Sequence, residues 1–418
     1  MNKLKITMGI AAVGTAAITL AACSSGNKFS GTSTKNIDIT AKEYNAFYKH
    51  TAEVYKTKIN LGDYKNLTVK AVDRSNENIS DEAVTKQLET IKNSFAKKED
   101  VTNGGTTQSG DEIVLNYTGY INGEKFENGS ATDQSYTVGS LKFISDLDKG
   151  LVGKQANQEY EIPVKFPENY SASNLAGKDA VFKVTITKIT RTTTPELTDA
   201  LVKENAAKLE LEGYGSNLKT VDELKNGVKT ALHDAAKLNN DTTILTEAIT
   251  KLEESGYTVS EYPEEELQAY VSNMKANMES QYNTYGSASG YSSFKDYLKG
   301  TLGIADDAAF DEYCKTSVQS YMKEKMAISV IGAENNINVS VADLTKFGNQ
   351  YASYYGYNSY QELVEKYGLK LNAEVGYNTL RAKVAEFMAS HVKEEPADSS
   401  NTETSPTTTQ ETTTTTGK

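Results

Sequence analysis

Residues 110–129 read Gly110-Asp111-Glu112-Ile113-Val114-Leu115-Asn116-Tyr117-Thr118-Gly119-Tyr120-Ile121-Asn122-Gly123-Glu124-Lys125-Phe126-Glu127-Asn128-Gly129. Ile113 to Tyr120 is rich in β-forming side chains, and Asn122-Gly123 is a strong hairpin turn because both residues tolerate positive φ. Asn128-Gly129 repeats the signal and predicts a second turn. Ala180 to Ile189 is again β-rich, so Gly110 to Thr190 is expected to form a compact antiparallel sheet.

Upstream, Leu67 to Asp73 alternates like a strand. Ser80 to Lys98 opens with a Ser cap and acids in its first turn, then places Val84, Leu88, Ile91 and Phe95 on one apolar stripe, which predicts a helix. Asn103-Gly104-Gly105 marks a boundary. Beyond Pro195 the pattern is helical for about 200 residues. Pro263 reads as a first-turn residue followed by Leu267, Tyr270, Val271, Met274 and Met278 on one face. Further stripes run through Phe310, Tyr313, Cys314, Ser317, Tyr321 and Met322, and through Leu380, Val384, Phe387, Met388 and His391.

The two ends differ in texture. Ten of the 21 residues from Asp398 to Lys418 are Thr, which predicts a disordered tail. Met1 to Ala22 has a basic start (Lys3, Lys5) and an apolar run too short to span a bilayer, and it ends Leu20-Ala21-Ala22-Cys23 before the polar Ser24-Ser25-Gly26-Asn27. This resembles the lipobox of bacterial lipoproteins and implies diacylation of Cys23. The alternative is an ordinary secretory signal with a chance Cys. Two acyl chains anchor stably where one is marginal, which would place the chain on the outer face of the cytoplasmic membrane.

Composition narrows the chemistry. The 418 residues include no Trp, 26 Tyr, three His and two Cys. His50, His233 and His391 are isolated in sequence, so a His-based metal site is not expected, and no cofactor motif is found. With Cys23 in the leader junction, Cys314 is left alone and a disulfide scaffold is excluded. The formal charge of −12, about −14 without the leader's lysines, disfavours nucleic acid as a partner.

The stretch from Gly110 to Gly129 looks like the opening of an FKBP-type peptidyl-prolyl isomerase domain, specifically the version inside trigger factor. Val138-Gly139, Phe143-Ile144, Gly150-Leu151, Gly153, Phe166-Pro167-Glu168, Tyr170 and Leu175 to Lys178 continue in that family's order. Pro195 to Asp199 is similar to the junction with trigger factor's helical C-terminal domain, and Tyr262-Pro263 with its helix recurs there too. The resemblance implies an α+β fold, an FKBP-like antiparallel sheet domain joined to an all-helical trigger-factor C-terminal-like chaperone domain. The expected organisation is a leader (1–22), a tether (23–40), a truncated N-terminal α/β segment (41–103), the isomerase domain (104–193), the helical domain (194–395) and the Thr-rich tail (396–418). No basic ribosome-docking signature is found, so an exported relative that does not meet ribosomes is expected.

Rotation about a peptide bond is opposed by amide resonance, a barrier of about 18–20 kcal/mol, and X–Pro bonds are those near enough to cis/trans balance for a catalyst to matter. An apolar cavity that fits the twisted amide needs no nucleophile or metal. The resemblance implies that Tyr117, Phe126, Phe143, Ile144, Leu147, Tyr170 and Phe182 line such a pocket, with Leu175 on its substrate side. It also implies that the Tyr170 hydroxyl and the Ile144 N–H hold substrate carbonyls and that Glu127 orients pocket groups. Tyr117, Phe126 and Phe182 read equally as sheet core, and Glu127 as a solvated turn residue. Leu147 replaces an aromatic floor. In the helical half, Met274, Met278, Tyr282, Tyr285 and Tyr291 are candidates for a surface that binds unfolded polypeptides, or for ordinary helix packing. The expected function is a membrane-anchored foldase that isomerises X–Pro bonds of secreted chains and chaperones them. The alternative is a non-catalytic holdase with a degraded pocket.

Overall fold

The computed structural model describes residues 41–396 apart from 103, 287, 288 and 368. The leader, Cys23, the tether and the tail beyond Pro396 lie outside the described residues. Packing divides the described chain into Thr85–Thr198 and a second unit made of the residues up to Val84 together with those from Asp199 onward. Residues 41–103, read from sequence as a segment of their own, are thus shared between the two units. The physical reason is in the side chains: Tyr44, Tyr48 and Val69 are buried in the same core as Ile244, Ile328 and Leu380.

The sheet unit is antiparallel. Lys97–Asp100, Asp179–Thr193, Glu112–Ile121 and Glu124–Thr137 lie side by side in that order, and Glu159–Lys165 pairs with the first half of Asp179–Thr193. Ala180, Phe182, Val184 and Ile186 are buried at alternate positions and meet Ile113, Leu115, Ile162 and Val164 in one core. The helix expected over Ser80 to Lys98 is shorter. It runs Asp81–Ser94, with the Ser80 hydroxyl accepting the Ala83 N–H at 3.1 Å. Lys97–Asp100 instead pairs with Thr190 to Thr193, because a free sheet edge satisfies backbone groups that a further helical turn would leave at its end.

Asn122 and Gly123 have φ of 52° and 86° and close the expected hairpin, Ile121 opposite Glu124. Asn128-Gly129 makes no hairpin turn. The register passes from Thr118 opposite Ser130 to Tyr120 opposite Lys125, so Gly119 faces four residues and Asn128 (φ 61°) lies inside a bulge. A second irregularity places Asp133 (φ 51°) opposite Asn116, whose Oδ1 accepts the Asp133 N–H at 2.8 Å.

An ion pair between the half-buried Arg191 and the buried Asp111 ties this unit together. Arg191 forks onto Asp111, Nε to Oδ1 at 2.8 Å and Nη2 to Oδ2 at 2.7 Å, and the Gln108 N–H donates to Oδ2 at 2.7 Å. The Arg191 hydrogen bonds outweigh burial and hold the Asp111 carboxyl below the usual aspartate range. A lowered folded pKa contributes stability that is present above the unfolded value, about 4, and is lost as pH falls through the lower folded one. The urea midpoint of the sheet unit should therefore drop below about pH 4, and Asp111→Asn should flatten that drop. An equal drop in the variant would assign it to other carboxylates.

In the helical unit Val221–Glu254, Asp307–Glu334, Leu369–His391 and Ala41–Lys56 surround one core. Val221–Glu254 starts at a reciprocal cap between Thr220 and Glu223. A second core gathers Leu267, Tyr270, Met274, Leu298, Phe310, Cys314, Val318 and Met322. Glu264–Gln281 begins one residue after Pro263. Thr68–Lys70 pairs in parallel with Lys393–Glu395, and Arg74 bridges Glu394 at 3.0 Å and the buried Asp241 at 3.3 Å. Lys325 is enclosed: its Nζ lies 2.5 Å from Glu266 Oε1 and 2.8 Å from the Tyr270 hydroxyl, and the Tyr55 hydroxyl donates to the same carboxylate at 2.7 Å. No described helix is long and apolar enough to cross a membrane.

Candidate functional site

The bulge in Glu124–Thr137 is what builds the site. It folds Phe126 back over Gly119 and Gly129, where Cβ atoms would stand 2.4 and 2.5 Å from the Phe126 ring. Two side-chain-free positions therefore make room for one aromatic. Phe126 meets Phe182 edge-on at 5.8 Å and Phe166 at 5.9 Å, while Tyr117 meets Phe182 at 5.8 Å and Phe143 at 5.5 Å. Phe166 in turn lies 4.8 Å from Tyr170. Edge-to-face contacts of this kind favour a fixed cluster over a collapsed one.

Within the cluster, exposure sorts the residues. Phe182 and Leu147 are buried, at 5% and 2% exposure, and form the base. Tyr117, Phe126, Phe143, Ile144, Tyr170 and Leu175 are half-buried against that core. Phe182 is therefore core, the alternative reading for it, while Tyr117 and Phe126 are packed against that core and partly exposed. Burial, with a smaller contribution from the nearby Tyr170, raises the Tyr117 phenol above its ordinary pKa, so it is a neutral donor at neutral pH.

Ile144 precedes the short helix Ser145–Gly150 in extended conformation (φ −61°, ψ 144°). Among the described residues neither its N–H nor the Tyr170 hydroxyl has a protein partner, which suits them to receive substrate carbonyls.

Glu127 stands apart. It is exposed on the bulge, and no hydrogen bond joins it to the rings among the described residues, which corrects the orienting role expected for it. The carboxylate that does reach the cluster is Asp148, which receives the Tyr136 hydroxyl and the Gly139 N–H. Asp148, Tyr136 and Phe166 were not read from sequence as site residues. Asp148 directly follows Leu147, and that adjacency was the available signal. A cavity of about 780 Å³ in this unit is lined by Tyr120, Glu161, Pro163, Lys165, Val181 and Lys183 among others. Val181 and Lys183 flank Phe182 in the strand and face away from the ring cluster, so that charged hollow is a different surface.

In the helical unit Met274, a candidate for a client surface or for helix packing, is buried in the second core, and Met278 is half-buried at its edge. The aromatic edge there is solvent-facing at Tyr285, 68% exposed. Tyr282 lies 5.9 Å and Tyr291 5.5 Å from Tyr297, both packed beside it. Among the described residues no group of His, Cys, Asp or Glu is placed to hold a metal ion.

Comparison with known proteins agrees with this division. Residues 104–187 match the family model of FKBP-type peptidyl-prolyl cis-trans isomerase, and residues 220–390 match that of the bacterial trigger factor C-terminus. The chain is similar to the trigger factor of Halothermothrix orenii, 29% identical over 71% of this chain and 65% of that protein. It is likewise 29% identical to the trigger factors of Bacillus cytotoxicus, over 75% and 70% of the two chains, and Desulforamulus reducens, over 83% and 74%. The chain thus spans less than two thirds of the first of these relatives. A solved trigger factor chaperone superposes with a TM-score of only 0.32 at 20% identity, covering 80% of this chain and 72% of that one. The α+β fold expected from the sequence, an FKBP-type sheet domain with a trigger-factor-type helical domain, holds.

Proposed function

In a trigger-factor-like chain that carries an FKBP-type domain, we propose a membrane-anchored, extracytoplasmic foldase that isomerises X–Pro bonds and holds unfolded clients. The observation that carries the enzymatic part is the half-buried aromatic ring of Tyr117, Phe126, Phe143 and Tyr170 over a Phe182–Leu147 base. Amide planarity is favoured by charge separation between N and O, which water stabilises. A prolyl amide transferred into this apolar bowl loses that support, while the Ile144 N–H and Tyr170 hydroxyl grip the flanking carbonyls. Catalysis then lies in fit to the twisted amide, and no group of this chain has to accept or donate a proton.

Proline-limited refolding of a test protein checks this reading. The full chain should shorten the slow phase, and Tyr117→Ala or Phe182→Ala should reduce the acceleration about tenfold or more. An unaccelerated slow phase at high concentration of the chain would leave only the holdase, which Leu147 at the base and the remote Glu127 would suit. The anchor is supported by Leu20 to Cys23 and the polar residues after it. Cys23→Ala should move the protein from the membrane fraction to the soluble one, and retention would contradict lipidation. Clients are then secreted polypeptides, with neither ribosome nor nucleic acid as partner.

A further inference from the structure

Phe143 is held from two sides. Tyr117 meets it edge-on at 5.5 Å, and Tyr136 lies stacked on it at 4.1 Å with the rings only 10° from parallel. Tyr136 is itself buried, and its hydroxyl both donates to Asp148 Oδ1 and accepts the Phe143 N–H at 3.5 Å. The same Asp148 oxygen accepts the Gly139 N–H at 2.9 Å. Asp148 is 3% exposed, and no ion pair reaches it among the described residues. A buried carboxylate is costly unless its oxygens are hydrogen-bonded, so these two donors fix where it can sit. Because Asp148 follows Leu147 in Ser145–Gly150, whatever fixes it also fixes the helix that carries the base of the bowl.

We propose that Asp148 and Tyr136 are positioning residues of the isomerase pocket: they preset the Phe143 ring against Tyr117 and lock the helix bearing Leu147 before substrate arrives. The inference rests on the isomerase reading above. A wall that is already in place loses no freedom when the prolyl ring enters, and small displacements of such a wall are expensive in rate. The chain has Leu147 where an aromatic base would supply its own stiffness. Rigidity is supplied instead from behind, through a hydroxyl–carboxylate contact that never touches substrate.

The test compares Asp148→Ala, Asp148→Asn, Tyr136→Phe and the double variant Asp148→Ala/Tyr136→Phe in the full chain. It measures kcat and KM on an X–Pro tetrapeptide, and the Phe143 ring-flip rate by NMR with labelled phenylalanine. Asp148→Ala and Tyr136→Phe should each lower kcat about tenfold with KM changed less than about twofold, and both should speed the flip. The double variant should be no worse than either single one, because both remove one shared contact. Asp148→Asn keeps the accepting oxygen and should recover most of kcat. Additive losses, a raised KM at unchanged kcat, or an Asn variant as poor as Ala would each overturn the inference. If the unaltered chain is inactive, the isomerase reading fails by itself. The flip rate then decides: acceleration in Asp148→Ala supports the positioning role, and an unchanged rate overturns it.

Discussion

Gly119→Ala is expected to lower kcat/KM for X–Pro isomerisation about a hundredfold while the sheet unit stays folded. The new methyl would stand 2.4 Å from Phe126 Cε1 and 2.9 Å from Phe182 Cε1, distances that no packed carbon tolerates. Phe126 is the ring that can yield, since Phe182 is buried in the core and Phe126 is half-exposed. Once it swings away, the bowl loses one wall and its contacts with Phe166 and Phe182. Gly123→Ala is the matched control. That glycine has φ of 86° but open space around it, so the substitution strains a turn, costs about 1 kcal/mol of stability, and leaves the bowl intact. Peptide isomerisation and urea unfolding of both variants separate the two outcomes. Activity of Gly119→Ala within about threefold of the parent would show that Phe126 is dispensable.

Lys325→Met is expected to destabilise the helical unit by about 3 kcal/mol or more. Burial works against the Lys325 charge, but Glu266 and the surrounding phenols outweigh it and hold the ammonium protonated well above its ordinary range. Removing the cation strands Glu266, 12% exposed, with the Tyr55 hydroxyl as its remaining partner among the described residues. A lone buried carboxylate costs far more than the pair ever contributed. The double variant Lys325→Met/Glu266→Leu should therefore recover much of the loss, because two apolar side chains of similar volume need no hydrogen bonds. Urea unfolding of the four species gives the coupling. A neutral single variant would mean that water reaches the pair and that the cage of tyrosines is incidental.

Much of the fold was legible because its signals are local. Asn122-Gly123 dictates a hairpin by its own backbone preferences, and the stripes through Phe310, Cys314 and Met322 and through Leu380, Val384 and Met388 are buried in helical cores. What failed depended on partners distant in sequence. Lys97–Asp100 leaves its helix for a strand 90 residues away in the chain, and Asn128-Gly129 becomes a bulge because Thr118 and Tyr120 keep pairing on either side of it. The site divides in the same way. Tyr117, Phe126, Phe143, Ile144 and Tyr170 do converge, whereas the buried carboxylate beside the cluster is Asp148 and not Glu127, which only the packed structure shows. The stripe through Met274 is compatible with a client surface or with helix packing, since a stripe says only that one face is covered, and the structure buries it.

The parallel pairing of Thr68–Lys70 with Lys393–Glu395 also sets a timetable. The sheet unit is one unbroken stretch, complete once residue 198 has been made. The helical unit is not. Its helix Ala41–Lys56 and strand Thr68–Lys70 precede the sheet unit in the chain, and the strand Lys393–Glu395 that completes the pair follows it. During synthesis the early segment must wait, with Tyr44, Tyr48 and Val69 uncovered, until core partners such as Ile244, Ile328 and Leu380 have followed. A chain that emerges in this order must keep an incomplete core from associating wrongly until the helices beyond the sheet unit have joined it.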